Sequence, residues 1–329
     1  MSCRARGSGR AARTCCIAHR IVFGHQPLVM KVPARLVALF ALLLVFKTTA
    51  ADRAAVVFQS DFGLRDGAVS AMKGVAFAVD SSLPLFDITH EIPPYNIWEA
   101  AYRLKQTAPY WPTNTVFVSV CDPGVGTERR SVVLLTRSGH RFVSPDNGTL
   151  TFIAETLGVA ELRVIDTSRQ RLKGSEDSYT FHGRDLFAYV GARLASGKLN
   201  LADVGPQATN GVVAISYQKA EIAGETLRGC IPVLDPQYGN VWSSIGKSLF
   251  SELKPAYGDE FQVVIRQNDK KVWSGSVPYV ASFGNVPEGK PLLYINSLLE
   301  VAIALNQGDF AKSHGIGSGP DWSLEIRRR

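Results

Sequence analysis

Between Ala54 and Val120, short apolar runs alternate with helical spacing, and this pattern narrows the possible folds more than any other feature of the chain. Ala55-Val56-Val57-Phe58 is compact and rich in β-branched residues, as a buried strand is. Val69, Met72, Val75, Ala76 and Val79 then share one side of a helix, because residues three and four apart face the same way. Leu83 to Ile88 predicts a second strand, Ile97, Ala100, Ala101 and Leu104 a second helix, and Thr115 to Val120 a third strand. Strands joined through helices run parallel with the helices on the sheet faces. The expectation is an α/β fold: an N-terminal α/β domain with a largely parallel central sheet.

Farther on, Ser131 to Leu135 and Arg141 to Val143 predict a hairpin, and helices are expected near Leu150 to Leu157 and from Asp185 to Ala195. Beyond about Asn210 the character changes. Val212 to Ser216, Glu221 to Thr226, Gly229 to Leu234, Phe261 to Arg266, Lys271 to Ser274 and Pro291 to Ile295 are strand-like runs separated by Gly, Pro, Asn and Asp. They predict a small β-rich domain, a barrel or sandwich. The boundaries drawn are a leader at 1–51, the α/β domain at 52–208 and a β-barrel-like domain at 209–329. Arg327-Arg328-Arg329 reads as a frayed basic end.

The formal charge of +7 suggests nucleic acid until it is located. Residues 1–51 hold eight Lys or Arg and no acid, which leaves 28 basic against 29 acidic side chains, a net of −1, in the remainder. No nucleic-acid partner is expected. Within the leader, Met30 to Arg35 is a short basic region, Leu36 to Phe46 an apolar run, and Thr49-Ala50-Ala51 a set of small residues suited to cleavage. The run is too short to span a bilayer, so a cleaved secretory signal starting at Met30 is expected, with export to the periplasm and no stable membrane anchor afterwards. A leader without function would leave the protein in the cytoplasm. Cys121 and Cys230 adjoin apolar runs, where small buried thiols are commonplace, although an oxidising compartment also permits a disulfide. Neither has a second cysteine at zinc-ligand spacing and the six His are scattered, so no metal is expected.

Five loops carry unusual residue choices. Cys121 to Arg130 follows the third strand, with Asp122, Arg129 and Arg130 around Pro123, Gly124 and Gly126. It lacks the Lys-Ser/Thr of a phosphate loop and reads either as a turn with a charged surface or as a site at a strand's carboxyl end. Asp61 and Asp66 follow the first strand, where a carboxylate can accept both hydroxyls of a ribose or cap the next helix. His182, in the exposed loop leading into a helix, is either inert or a proton exchanger near neutral pH. Asn147 sits in a turn that tolerates positive φ. Asp235, Tyr238, Asn240 and Trp242 gather an acid, an amide and two aromatics, as a hairpin turn does or as a grip on a heteroaromatic ring or amino-acid head group requires.

In this order the five segments resemble the S-adenosyl-L-methionine (SAM) hydrolases, also called SAM hydroxide adenosyltransferases, relatives of the SAM-dependent chlorinases and fluorinases. Asp122 to Arg130 paired with Phe181-His182-Gly183-Arg184-Asp185 is long and specific, and the likeness spans residues 54 to 315. It implies an α/β domain joined to a β-barrel, and a homotrimer with sites between subunits. It implies catalysis by Asp122, Arg129 and His182, ribose binding by Asp61 with Asp66 beside it, and methionine and adenine contacts from Asp235, Tyr238, Asn240, Trp242, Asn296 and Ser297. The family usually places Gly and an aromatic after that Asn-Ser pair, where this chain has Leu298-Leu299-Glu300.

The implied reaction converts SAM, a substrate rather than a cofactor, to adenosine and methionine, with no cofactor. A sulfonium leaves as a neutral thioether, so attack at the ribose 5′ carbon needs only a positioned, deprotonated water. Halogenases resemble Tyr-Pro-x-Thr where Asp122 to Val125 stand and have Tyr and Ser at His182 and Gly183; a carboxylate there repels halide. The other alternative is an exported nucleoside- or SAM-binding protein without turnover.

Overall fold

The computed structural model describes residues 54–329, so the expected leader lies outside the described residues. β1 (Val56–Ser60), β2 (Leu85–Thr89) and β3 (Val116–Val120) form at the three apolar runs, with α1 (Ala68–Val79) and α2 (Ile97–Thr107) between them. β4 (Ser131–Thr136) and β5 (Arg141–Pro145) make the expected hairpin, followed by α3 (Thr151–Leu157). β6 (Val159–Val164) is an addition; as an edge strand with Glu161 and Arg163 it has no apolar run to announce it.

These six strands order as β2-β1-β3-β5-β4-β6, the first four parallel and β4 antiparallel to both neighbours. Side chains alternate across the sheet. Val56, Phe58, Val116 and Val118 face α1 through Met72 and Ala76, while Val57 and Phe117 face Leu104 of α2 and Ile153 of α3. From β1 the chain goes to β2 on one side and returns to β3 on the other. Such a reversal opens a crevice at the strands' carboxyl ends, between the loops after β1 and β3.

The expected helix at Asp185 to Ala195 begins earlier, as a π turn over Gly183–Ala188 that runs into α4 (Tyr189–Ala195). A side chain on Gly191 would put its Cβ 2.5 Å from Val118 Cγ2, so glycine permits this helix to lie directly on β3.

The C-terminal region is β-rich, as expected. β7 (Glu221–Ala223), β8 (Thr226–Ile231), β9 (Val233–Leu234), β10 (Val241–Gly246), β11 (Glu260–Gln267), β12 (Lys270–Pro278), β13 (Pro291–Ile295), β14 (Glu300–Leu305) and β15 (Gly319–Arg328) build two antiparallel sheets. Their orders are β13-β14-β10-β9 and β12-β11-β15-β8-β7, around a core that includes Phe261, Ile303 and Leu324.

Several sequence expectations are corrected here. Val212 to Ser216 is no strand: side-chain acceptors replace a ladder, Val213 N–H donating to Asp146 Oδ1 at 2.8 Å and Ile215 N–H to Thr151 Oγ1 at 3.0 Å. The run Glu221 to Thr226 is broken at Gly224, whose φ of 61° makes the turn between β7 and β8. Arg327 and Arg328 are not frayed, since they pair with Gln262 and Phe261 and Arg328 meets Asp259 at 2.7 Å.

α2 also ties the two regions together. Trp98 Nε1 donates to Pro232 O at 2.7 Å, and Glu300 accepts from Tyr102 Oη at 2.9 Å and Lys105 Nζ at 2.6 Å.

Candidate active site

The β1–β3 crevice is where Asp61, Asp122, Arg129 and His182 of the sequence-predicted residues gather. Ser60 and Val120 are register partners, so Asp61 and Cys121 begin their loops side by side. Cys121 Sγ donates to Asp61 Oδ2 at 3.6 Å. Both cysteines are free and buried; burial, with Asp61 beside it, pushes the Cys121 thiol far up, and burial pushes Cys230 up to about 11. Both thiols are therefore held in the protonated form, Cys121 as a donor to Asp61.

The loop after β3 closes with Val125 N–H on Asp122 O at 3.2 Å and Thr127 Oγ1 on Gly124 O at 2.7 Å, which turns Arg129 back over Asp122. Arg129 grips the carboxylate with two donors, Nε to Oδ1 at 2.8 Å and Nη2 to Oδ2, and its Nη1 donates to Ser131 Oγ at 2.6 Å. This is the bidentate fork that carboxylate geometry favours. Arg130 points elsewhere: it pairs with buried Asp146 and donates to Gly211 O at 2.9 Å, anchoring the segment before the β-rich region. Of the two guanidiniums in this loop, one serves the crevice and one serves the fold.

His182 is corrected from exposed to buried, 7% accessible, because it caps the π turn with helical backbone instead of lying in an open loop, and it packs edge-on to Phe187. π turns often mark functional positions. Its Nδ1 lies 2.9 Å from Arg129 Nη2. A guanidinium only donates, so Nδ1 accepts and the neutral ring carries its proton on Nε2. That Nε2 is buried and has no partner within the described residues. Burial first, then the charges of Arg129 and Arg171, hold the imidazole below its usual 6.5, against the opposing pull of Asp122 and Asp185. The cluster therefore offers a carboxylate, a positive charge and one unspent N–H.

Asp66 accepts from Ala68 N–H at 2.9 Å ahead of α1, and with Phe62, Gly67 and Phe181 it borders a cleft of about 480 Å³. Asn147 spends its amide internally: Nδ2 donates to Cys121 O at 2.9 Å, and Oδ1 accepts from Thr149 Oγ1 at 2.7 Å. It braces the end of β3.

The C-terminal candidates form a second group. Asp235 Oδ1 accepts from the Gln237 and Tyr238 amides at 3.0 and 3.2 Å, and Oδ2 from Asn240 Nδ2 at 3.4 Å. Tyr238 and Asn240 line a cleft of about 520 Å³ with Phe283, Asn306 and Asp309. Gly239 is indispensable to this turn, because φ is 64° and a Cβ would sit 1.8 Å from Asp309 Oδ1. Asn296 Nδ2 is a buried donor with no partner among the described residues, Trp242 Nε1 is buried beside Tyr294, and Asn296 Oδ1 accepts from Leu298 and Glu300 N–H groups. Ser297 is exposed and lines a separate cleft with Pro236, Glu99 and Arg103. Among the described residues no hydrogen bond joins this group to the one at the β1–β3 crevice.

Sequence reasoning missed Tyr95 and Arg171. Tyr95 holds a φ of 67°, which a non-glycine residue rarely adopts, is 72% exposed, and donates its N–H to Asp61 Oδ2 at 2.9 Å. Its signal is an aromatic directly after Pro93-Pro94. Arg171 donates to Ser175 O at 2.9 Å, meets buried Asp185 at 3.6 Å and stacks on Tyr179, which organises the loop before His182. Nothing in its sequence surroundings marks it.

Comparison with known proteins places the chain in a family. Residues 56–205 match the SAM hydroxide adenosyltransferase N-terminal domain and residues 229–323 the C-terminal domain of the same family. A protein of Salinispora tropica named (R)-S-adenosyl-L-methionine hydrolase is 36% identical over 267 residues, 80% of this chain and 95% of that one. A protein of Actinoplanes sp. named fluorinase is 27% identical over 289 residues, 80% and 95% of the two chains. The crystal structure of an uncharacterized conserved protein from Thermotoga maritima superposes with a TM-score of 0.75 at 34% identity, covering 83% of this chain and all of that one. With both domains matched in order and the hydrolase relative aligned almost end to end, the chain belongs to the SAM hydroxide adenosyltransferase family.

Proposed function

We propose that the protein hydrolyses S-adenosyl-L-methionine to adenosine and L-methionine by attack of water or hydroxide at the ribose 5′ carbon. The observation that carries this reading is the Asp122–Arg129–His182 cluster beside Asp61. In this mechanism Asp122 accepts the proton of the attacking water, and Arg129 holds the carboxylate and favours hydroxide through its charge. His182 accepts from Arg129 at Nδ1 and so holds the guanidinium on the Asp122 carboxylate, which fixes the direction from which the nucleophile approaches. The sulfonium supplies its own neutral leaving group, so no cofactor or metal is needed. Purified protein incubated with SAM is expected to release adenosine, resolved by chromatography; SAM binding without adenosine would leave a binding protein. Chloride or fluoride should not compete with water, because Asp122 presents negative charge to the nucleophile's position.

In this reading Asp61 accepts the ribose hydroxyls with Asp66 beside it, and Asn147 acts through the Cys121 carbonyl it braces. Asp235, Tyr238, Asn240, Trp242, Asn296 and Ser297 hold methionine and adenine. Among the described residues no hydrogen bond joins the two groups within one chain, and the reading is therefore a homotrimer whose sites pair the α/β domain (52–208) of one subunit with the barrel-like domain (209–329) of the next. Mixing Asp122→Asn subunits with Asp235→Ala subunits should then restore activity that neither has alone. Export to the periplasm is part of the proposal, and an unprocessed N-terminus in a cytosolic fraction, read by mass spectrometry, would count against it.

The His182 shift fixes a pH dependence. If the neutral ring is the working form, the rate holds as pH falls through 6.5 and drops only below it. The unfolded chain is the better proton binder in that interval, so the stability contributed is complete above pH 6.5 and lost as pH falls. A pH–rate profile whose acid limb lies above 6.5 would contradict this role.

A further inference from the structure

A second chain of polar side chains runs beneath the crevice, outside the cluster just described. His90 Nε2 donates to Asp87 Oδ1 at 3.1 Å, its Nδ1 lies 2.7 Å from Ser60 Oγ, and Lys73 Nζ donates to Asp87 Oδ2 at 2.5 Å. Because the carboxylate only accepts, Nε2 bears a proton, and Nδ1 and the Ser60 hydroxyl share the second bond. The order of bonds is that of a Ser-His-Asp triad, yet Ser60 is 0% and His90 3% exposed, so no substrate reaches the hydroxyl.

What the arrangement does reach is backbone. Ser60 Oγ accepts from Phe62 N–H at 3.3 Å, and His90 O accepts from Gly63 N–H at 2.7 Å. Both bonds flank Asp61. The loop that starts at His90 also delivers Tyr95, whose N–H holds Asp61 Oδ2 at 2.9 Å. The imidazole thus bonds both to the end of β1 and to β2, at the root of the loop that grips Asp61. We propose that Ser60, His90 and Asp87 form a positioning relay, buried at Ser60 and His90 and reaching the surface at Asp87, that aims the Asp61 carboxylate, and thereby sets the preference for a ribose over a 2′-deoxyribose in the substrate. The proposal rests on the reading of Asp61 as the ribose ligand.

The test compares kcat/KM for SAM with that for its 2′-deoxyribosyl analogue in the full chain. His90→Phe keeps the ring's bulk and removes both bonds, and it should lower the preference for the ribose by about tenfold, since a small misplacement of a positioning group costs that much or more. Ser60→Ala should act in the same direction and serves if His90→Phe does not fold. General loosening slows both substrates alike and leaves their ratio unchanged. An unchanged ratio in both variants, while Asp61→Asn collapses it, overturns the relay. If Asp61→Asn itself leaves the ratio intact, the ribose reading of Asp61 is what fails, and the relay falls with it.

Discussion

Asp122→Asn is expected to lower the rate of adenosine release by about 10²–10⁴-fold, the usual worth of a positioned general base. The substitution keeps the side chain's shape but removes the charge that Arg129 grips with Nε and Nη2. An amide offers one acceptor where the guanidinium needs two, so a cation whose side chain is 11% exposed is left half-paired beside His182. Two effects should therefore be separable. The rate falls because the proton acceptor is lost, and the thermal midpoint falls modestly because a buried charge loses its partner. Single-turnover kinetics with SAM and a melting curve measure the two independently. A variant that keeps the wild-type rate would move the proton acceptor elsewhere in the crevice.

Glu300→Ala is expected to have the largest effect on stability, about 3 kcal/mol, from breaking a nearly buried ion pair by removing one partner. Glu300 is 7% exposed and takes the Tyr102 hydroxyl and the Lys105 ammonium together, across the junction of the α/β and β-rich regions. Burial and the Glu300 charge hold the Tyr102 phenol well above its usual range, so the hydroxyl stays a donor. Truncating the carboxylate strands both donors. Denaturant unfolding of Glu300→Ala against Glu300→Gln measures the loss; the amide, which still accepts one bond, should recover part of it. A loss below about 1 kcal/mol would mean that water replaces the carboxylate freely.

The α/β half was legible because its signals are strong and local: β-branched runs for β1 and β3, and a clean helical face for α1. Asp61 and Asp122 were legible for the same reason, since a polar residue within two positions of a buried strand's end emerges at the sheet's carboxyl edge. What sequence could not give was direction. Arg129 and Arg130 are adjacent, and only the turn at Asp122 to Val125 decides which enters the crevice. His182 was placed in an exposed loop because a π turn has no periodic signature. β10 escaped because Ser243 occupies a core position between Val241 and Ile245, satisfied by donating to Val301 O at 2.7 Å. β15 alternates Trp322, Leu324 and Ile326 with polar neighbours, and its terminal arginines obscured that pattern.

Helix α2 behaves as a connecting rod. Its cap, where Asn96 Oδ1 accepts from Glu99 N–H, directly follows the Tyr95 amide that steadies Asp61, and Trp98, Tyr102 and Lys105 along its length clasp Pro232 and Glu300. Sliding the rod by a single residue's rise, about 1.5 Å, carries that amide out of hydrogen-bonding range. Repacking in the β-rich region can therefore surface as a defect in gripping the sugar, although the altered residue touches neither the sugar nor the six-stranded sheet.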